Sequence, residues 1–485
     1  MNYRMLAYFF GQILRIGGLL MCIPLIVALI YGESQTYLSF IIPIAVQLLG
    51  GCLLVRLLPK NSNIYAQEGF VCVALTWILL SAVGALPFFI SGCMPNYMDA
   101  FFETVSGFTT TGATVLADIE AMPKGILFWR SLTHWIGGMG ILVFAMMFLP
   151  KTQTKKTSMM HVMRAEVPGP SVGKIVPKVG DTARILYAMY IVLTVAEVLL
   201  LLLGGMNLYE AFIHAFGTAG TGGFSCFNSS IAEQSPFLQY VIILFMLLFS
   251  VNFNLYYLVF LKKWKEALKS EELKVFLILV AVVVAVITLN IRSQYDTIEH
   301  AFRAAAFQTS SIISTTGFVS ENFDLWPAMS RILMVVLMFV GACAGSTGGG
   351  MKVSRIMILI KDAVRDLGQL AHPRRVKSIR LEGKAVDEQT VNNASTYLQF
   401  YVILLVLAVI LVAAFDGMDM VSTFTSVVTC LNNVGPGIGE VVGAVGNYST
   451  LSIGSKAVLS FCMLAGRLEV FPMLIIFFPS TWKRA

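Results

Sequence analysis

The sequence predicts an all-α polytopic membrane protein. It comprises two N-terminal spans and four span, pore half-helix, span repeats around one pore, giving ten crossings and four re-entrant pore helices. Three observations predict this. The 485 residues are 57% hydrophobic and only 13% charged, with a mean hydropathy of +0.78, whereas a soluble domain carries about 25% charge. Apolar runs long enough to span a bilayer, roughly 20 residues each, recur along the whole chain. Four short polar segments between those runs share one pattern.

The apolar runs lie at 8–31, 37–58, 70–92, 126–149, 185–205, 237–261, 275–291, 332–360, 398–415 and 455–479. The first run follows Arg4 and Arg15 but is long and lacks a small-residue cleavage site, so it reads as a span and not as a leader. The loops 151–184, 262–274 and 361–384 hold nineteen lysines and arginines, against Lys124, Arg292 and Arg303 on the opposite side. The basic set belongs in the cytoplasm with both termini. The net charge of +7 is therefore expected to report topology and lipid contact, and no nucleic-acid surface is implied. The eight cysteines are scattered without a CxxC pair and read as packing residues.

The four short segments are AFFETVSGFTTTGAT, AFIHAFGTAGTGGF, AFQTSSIISTTGFV and TFTSVVTCLNNVGPG. Each runs from a phenylalanine to a glycine: Phe101 to Gly112, Phe212 to Gly222, Phe307 to Gly317 and Phe424 to Gly435. About ten residues make a helix of roughly 15 Å, half the apolar thickness of a bilayer. Each segment can thus enter as a half-helix and return as extended chain. Non-helical backbone at that depth survives only where it lines water or is buried in protein. A return strand there can turn main-chain carbonyls toward a monovalent cation in place of its hydration shell. The tripeptides concerned are Thr110-Thr111-Gly112, Gly220-Thr221-Gly222, Thr315-Thr316-Gly317 and Asn433-Val434-Gly435. None contains a carboxylate, which argues against a ring for divalent cations. Glu103, within the first half-helix, is expected to serve field or packing and not the filter.

The run 332–360 is interrupted by GACAGSTGGGMK, in which Gly345, Ser346, Thr347, Gly348, Gly349 and Gly350 follow Ala344. Each glycine costs about 1 kcal/mol in a helix interior, so this span should break. Met351 stands where a phosphate-binding loop needs lysine. A packing kink and a loop lying across the axis both fit the sequence. Arg467, near the middle of the last span, should face a cavity or a partner, with a structural pair to Glu469 or Glu197 as the alternative. The five histidines form no HExxH and have no clustered acids beside them, so no enzyme is expected.

Over essentially its full length the chain resembles the TrkH-type subunits of the Trk/Ktr/HKT superfamily of potassium-translocating membrane proteins. The resemblance rests on the four half-helix segments, the broken third-repeat span, Arg467 and the extra N-terminal span pair. It implies a division into 1–68 (span pair), 69–150 (first repeat), 151–262 (linker and second repeat), 263–361 (third repeat with the broken helix) and 362–485 (linker and fourth repeat). It implies a potassium ion held by the twelve filter residues named above, and a gate formed by Ala344 to Gly350 with Arg467 opposing the loop. Glycine at all four filter positions points to potassium, since some relatives with serine at the first favour sodium. No cofactor is implied in this chain. The resemblance further implies a homodimer in a bacterial cytoplasmic (inner) membrane, docked by a cytosolic nucleotide-binding TrkA-type ring. The basic loops 151–184 and 361–384 are the expected docking surfaces, unless their charge serves topology alone. Ion-coupled symport with sodium or protons stays open beside a gated channel, and another secondary transporter is a more distant alternative.

Overall fold

The computed structural model describes residues 2–56, 66–140, 179–372 and 378–482. The protein is predominantly helical. Tyr3–Leu20 and Cys22–Ile30 form the first arm of the N-terminal pair, and Tyr37–Val55 packs back along it. Four units of the same build follow. In each, a long outer helix precedes a short helix, and an inner helix comes after it. The outer helices are Ala66–Gly84 (extended by Leu86–Ile90), Val179–Leu203, Glu271–Ile291 and Glu388–Phe415. The short helices are Tyr97–Phe108, Leu208–Gly220, Ile298–Ile313 and Met420–Asn432, and the inner ones are Lys124–Gly138, Pro236–Ser250, Ala328–Val340 and Ile453–Arg467.

Local chemistry sets these limits. Asn96, Asn207, Thr297 and Asp419 cap the short helices by accepting from Met98, Glu210, His300 and Val421 N–H groups, which would otherwise be orphaned. Pro123, Pro236 and Pro327 stand at the starts of inner helices, where a missing N–H costs nothing. The burial pattern is the inverse of a soluble bundle. Thr104, Ser106, Gln308, Ser311 and Ser426 of the short helices are fully enclosed, while Val192, Leu203, Ile278 and Ile410 on outer helices are exposed. That is the arrangement lipid demands.

Six stretches among the described residues are long and apolar enough to cross a membrane: the two N-terminal arms and the four outer helices. The inner helices differ from expectation. Only the 332–360 run was expected to break, yet the second inner helix turns by 92° between Ser250 and Phe253. The fourth ends at Arg467 before Phe471–Ile475 resumes, around Glu469 and Val470, which both have positive φ. The first ends at Gly138, and residues 141–149 of its expected span lie outside the described residues.

The four units close on themselves. The second short helix packs on the first inner helix, the third on the second, the fourth on the third, and the first on the fourth. One apolar cluster joins the N-terminal pair with repeats 1 and 4, and another joins repeats 2 and 3 and reaches Val428 and Val434 of repeat 4. Close approach within a repeat uses glycine: a Cβ at Gly137 would strike the Phe108 carbonyl, and one at Gly466 the Leu431 carbonyl.

Gly137→Leu is therefore expected to lower the thermal midpoint of the detergent-purified protein, at a cost of about 1–3 kcal/mol or more. Gly50→Leu, where a Cβ meets nothing within 4 Å, should leave it unchanged. Size-exclusion chromatography after heating reads both.

Candidate functional site

Each short helix ends in the same three-residue device. A residue in the left-handed region comes first: Thr110 (φ 54°), Thr221 (57°), Thr315 (59°) and Asn433 (55°). Two positions later stands a glycine with positive φ: Gly112 (81°), Gly223 (74°), Gly317 (82°) and Gly435 (100°). The residue between them closes the turn by donating its N–H to a helix carbonyl five residues back. These bonds are Thr111 to Ser106 (2.9 Å), Gly222 to Gly217 (2.8 Å), Thr316 to Ser311 (2.9 Å) and Val434 to Thr429 (2.9 Å).

This geometry corrects the register of the second repeat. The glycine equivalent to Gly112, Gly317 and Gly435 is Gly223, not Gly222, so the matching tripeptide is Thr221-Gly222-Gly223 and Gly220 belongs to the helix. In the third repeat the residue matching Phe101 is Ala306 and not Phe307. Both slips come from aligning on the nearest phenylalanine and the first glycine. With them removed, all four glycines stand eleven residues after the matching helix position.

The four devices form a ring. A Cβ built on Gly112 would strike the Gly222 carbonyl oxygen, one on Gly223 the Thr316 oxygen, one on Gly317 the Val434 oxygen, and one on Gly435 would lie 2.7 Å from the Thr111 oxygen. Each repeat thus presents the carbonyl of its middle residue to the glycine of the repeat before it, and the fourth meets the first. Among the described residues no backbone N–H donates to these four carbonyls. Main-chain oxygens so placed can take the place of water around a dehydrated monovalent cation.

Behind the ring each return strand is tied to its own short helix by a different side chain. Glu103 accepts from Thr114 Oγ1 and Val115 N–H at 2.8 Å each. His214 bonds Ser225 Oγ at 3.0 Å, Gln308 bonds Ser320 Oγ at 3.3 Å, and Thr425 Oγ1 donates to the Ile438 carbonyl at 2.6 Å. Glu103 is also ion-paired with Arg130 at 2.6 Å; the guanidinium lies 3.5 Å over the Phe224 ring and donates to the Ser225 carbonyl. Glu103 thus holds its own return strand, while Arg130 ties repeat 1 to repeat 2.

The residues 341–352 lie directly against the base of the ring. Gly349 N–H donates to Thr315 Oγ1 at 2.6 Å and Gly350 N–H to the Asn432 carbonyl at 3.0 Å. On the far side Cys343 N–H reaches the Ser250 carbonyl, Thr347 Oγ1 the Phe249 carbonyl, and Phe253 N–H the Gly345 carbonyl. The loop is thus seated on the break of the second inner helix. Arg467 joins it: Nη1 donates to the Thr347 carbonyl at 2.7 Å, and Nη2 to the Gly137 and Gly138 carbonyls at 2.6 Å each. The expected assembly of Ala344 to Gly350 with Arg467 is therefore one contiguous cluster. Glu469, one of the two alternative partners for Arg467, pairs with Arg355, whose guanidinium lies 3.8 Å over Tyr397.

Sequence reasoning passed over Lys352. It is buried, has φ 74°, and its Nζ donates to the Gly348 carbonyl, putting a lysine amine inside the cluster. Its signal was present as a lysine within an apolar run. The basic loop 361–384 also changes meaning, because Lys361 pairs with Glu271, and Arg365 with Asp362 and Glu388. Residues 151–178 of the other basic loop lie outside the described residues.

A family model described as TrkH, cation transport protein, matches residues 38–484. The Trk system potassium uptake protein TrkH of Escherichia coli (strain K12) is 37% identical, over 98% of this chain and 99% of that one. The protein of the same name from Vibrio parahaemolyticus is 35% identical over the whole of both chains. A crystal structure of the potassium transporter TrkH from Vibrio parahaemolyticus matches with a TM-score of 0.89, at 33% identity, over 100% of both chains.

Arg130→Met should destabilise the fold by about 3–5 kcal/mol, because it strands a buried carboxylate. Adding Glu103→Leu should recover much of that loss. Thermal midpoints of the two purified variants check both.

Proposed function

The chain belongs to the TrkH family of cation transport proteins, and on that premise we propose that it takes up potassium across a bacterial cytoplasmic membrane through a single central pore. The observation that carries this reading is the ring in which four carbonyls, from Thr111, Gly222, Thr316 and Val434, each face the glycine of the neighbouring repeat. In this reading the chain crosses ten times, the short helices are re-entrant, and the filter comprises Thr110 to Gly112, Thr221 to Gly223, Thr315 to Gly317 and Asn433 to Gly435. The short helices direct their C-terminal ends at the ring, and each such end carries about half a negative charge. Four of them favour a cation on the axis without a carboxylate that would hold divalent ions.

The loop Ala344 to Gly350 is the gate. It occupies the space below the filter, and Arg467 adds positive charge to the obstruction. A fixed unit charge about 4 Å from a passing cation raises its energy by on the order of 4 kcal/mol at the effective dielectric of a protein site. The loop can leave because nearly all its bonds are single contacts to three different repeats. Both termini are cytoplasmic, the assembly is a homodimer, and regulation comes from a cytosolic nucleotide-binding ring on the basic face. With Lys361 and Arg365 already engaged, the exposed side chain of Lys384 is the better contact of these three; residues 373–377 of the loop lie outside the described residues.

The test is potassium flux into proteoliposomes under an imposed potential and no co-ion gradient. Saturable electrogenic flux is expected; flux that requires a sodium or proton gradient would make the protein a symporter.

Two variants probe the parts separately. Arg467→Ala should raise basal potassium flux by about tenfold, the equivalent of about 1.4 kcal/mol off the barrier, and unchanged flux in both this variant and a loop-shortened one would exclude the gate. Gly112→Ser places a side chain against the Gly222 carbonyl and should reduce the preference for potassium over sodium by about tenfold, as read from competitive uptake of the two ions.

A further inference from the structure

One oxygen atom closes the base of the 341–352 loop. Oε1 of Glu272 accepts from the Ala344 N–H at 2.8 Å, where the glycine-rich run begins, and from the Ser354 N–H at 3.1 Å, where the next helix starts. Glu272 lies in the first turn of the third outer helix and is only 7% exposed. A carboxylate so enclosed is held by its donors, and the two N–H groups, ten residues apart in the chain, are held by it.

The start of that outer helix is in turn capped from outside. Glu382 Oε1 accepts from Ser270 Oγ at 2.8 Å and from Glu272 N–H at 3.1 Å, and the Glu382 N–H returns a bond to Glu271 Oε2 at 3.3 Å. Glu382 opens the two-residue turn of a small hairpin, Arg380–Leu381 paired with Lys384–Ala385. Its φ of 53° and the 73° of Gly383 are those of a tight hairpin turn. Ile379 and Leu381 seat the hairpin by burial, whereas the Glu382 residue is exposed. Lys361, on the helix that follows the loop, donates to the Arg380 carbonyl at 2.9 Å and pairs with Glu271. The hairpin therefore grips both flanks of the loop: the helix whose second residue holds it, and the helix into which it runs.

We propose that Glu272 is a positioning residue for the gate loop and that the 380–385 hairpin, through Glu382, sets how firmly Glu272 holds it. Drawing Glu382 away uncaps Ser270 and the Glu272 N–H, and the first helical turn frays. Oε1 then withdraws from Ala344 and Ser354 together, and the loop loses its base while its contacts to the filter remain. This inference rests on the reading of 344–350 as the gate.

The experiment measures partner-free potassium flux through the full chain in proteoliposomes for Glu272→Ala, Glu272→Gln, Glu382→Ala, the Glu272→Ala/Glu382→Ala double variant, and Arg467→Ala. Glu272→Ala should raise flux about tenfold, and Glu272→Gln, which keeps an acceptor oxygen, should stay within about twofold of the wild type. Glu382→Ala should give about a threefold rise, and the double variant should match Glu272→Ala alone, because both changes act through one oxygen. A purely structural role would instead lower flux along with the yield of monodisperse protein, with no rescue by glutamine. If Glu272→Ala does not fold, the exposed Glu382→Ala decides, and unchanged flux there overturns the proposal. Additive effects in the double variant also overturn it. A rise with Arg467→Ala alone would leave the gate standing and remove the relay; no rise in any variant would remove the gate itself.

Discussion

The structure depends on a close approach that only glycine allows. At four places a Cα lies so near the carbonyl oxygen of the next repeat that a Cβ would overlap it or crowd it. The approach is cyclic, so each contact sets the position of the next. A ring of four main-chain oxygens can be held at a fixed radius only if the scaffold behind it is stiff. The packing of each short helix on the preceding repeat's inner helix supplies that stiffness.

The scaffold meets one requirement by four different means. A return strand in an apolar surrounding must have its polar groups satisfied. Glu103 with Arg130 does this in the first repeat, a histidine in the second, an amide in the third and a hydroxyl in the fourth. The repeats have therefore kept a geometry and not a residue type. The same holds for the inner helices. One uses a run of glycines to interrupt itself, another a turn at Val251 and Asn252, and another the paired positive-φ residues Glu469 and Val470. The third interruption is long enough to become a loop, and it lies against the ring because the second inner helix bends away and offers its carbonyls as a seat.

Ring and loop are consequently not separate parts. Thr315 contributes its backbone to the ring and its hydroxyl to Gly349, and Asn432, which precedes the ring residue Asn433, accepts from Gly350. Arg467 spans three carbonyls from two elements, at the C-terminal end of the first inner helix, where a cation is electrostatically favoured. The positive charge is thus held by helix ends and loop backbone, and the nearby Glu469 holds Arg355.

Composition, apolar runs and the fourfold glycine pattern were enough to determine the helical, membrane-spanning class and to mark the four segments that end on a positive-φ glycine. These are properties of local sequence, because burial in lipid and the need for positive φ leave compositional marks. The register at Gly222 and Gly223 was not legible, since two adjacent glycines satisfy the pattern equally and only the backbone turn at Thr221 distinguishes them. Nor could the sequence reveal that Glu272, at the edge of a span, would reach Ala344 and Ser354, or that Arg130 would bridge two repeats. Those contacts join residues far apart in the chain, and their distances follow from how the four repeats close on one axis. Only the tertiary structure decided that closure, because no local interaction specifies which neighbour a carbonyl will face.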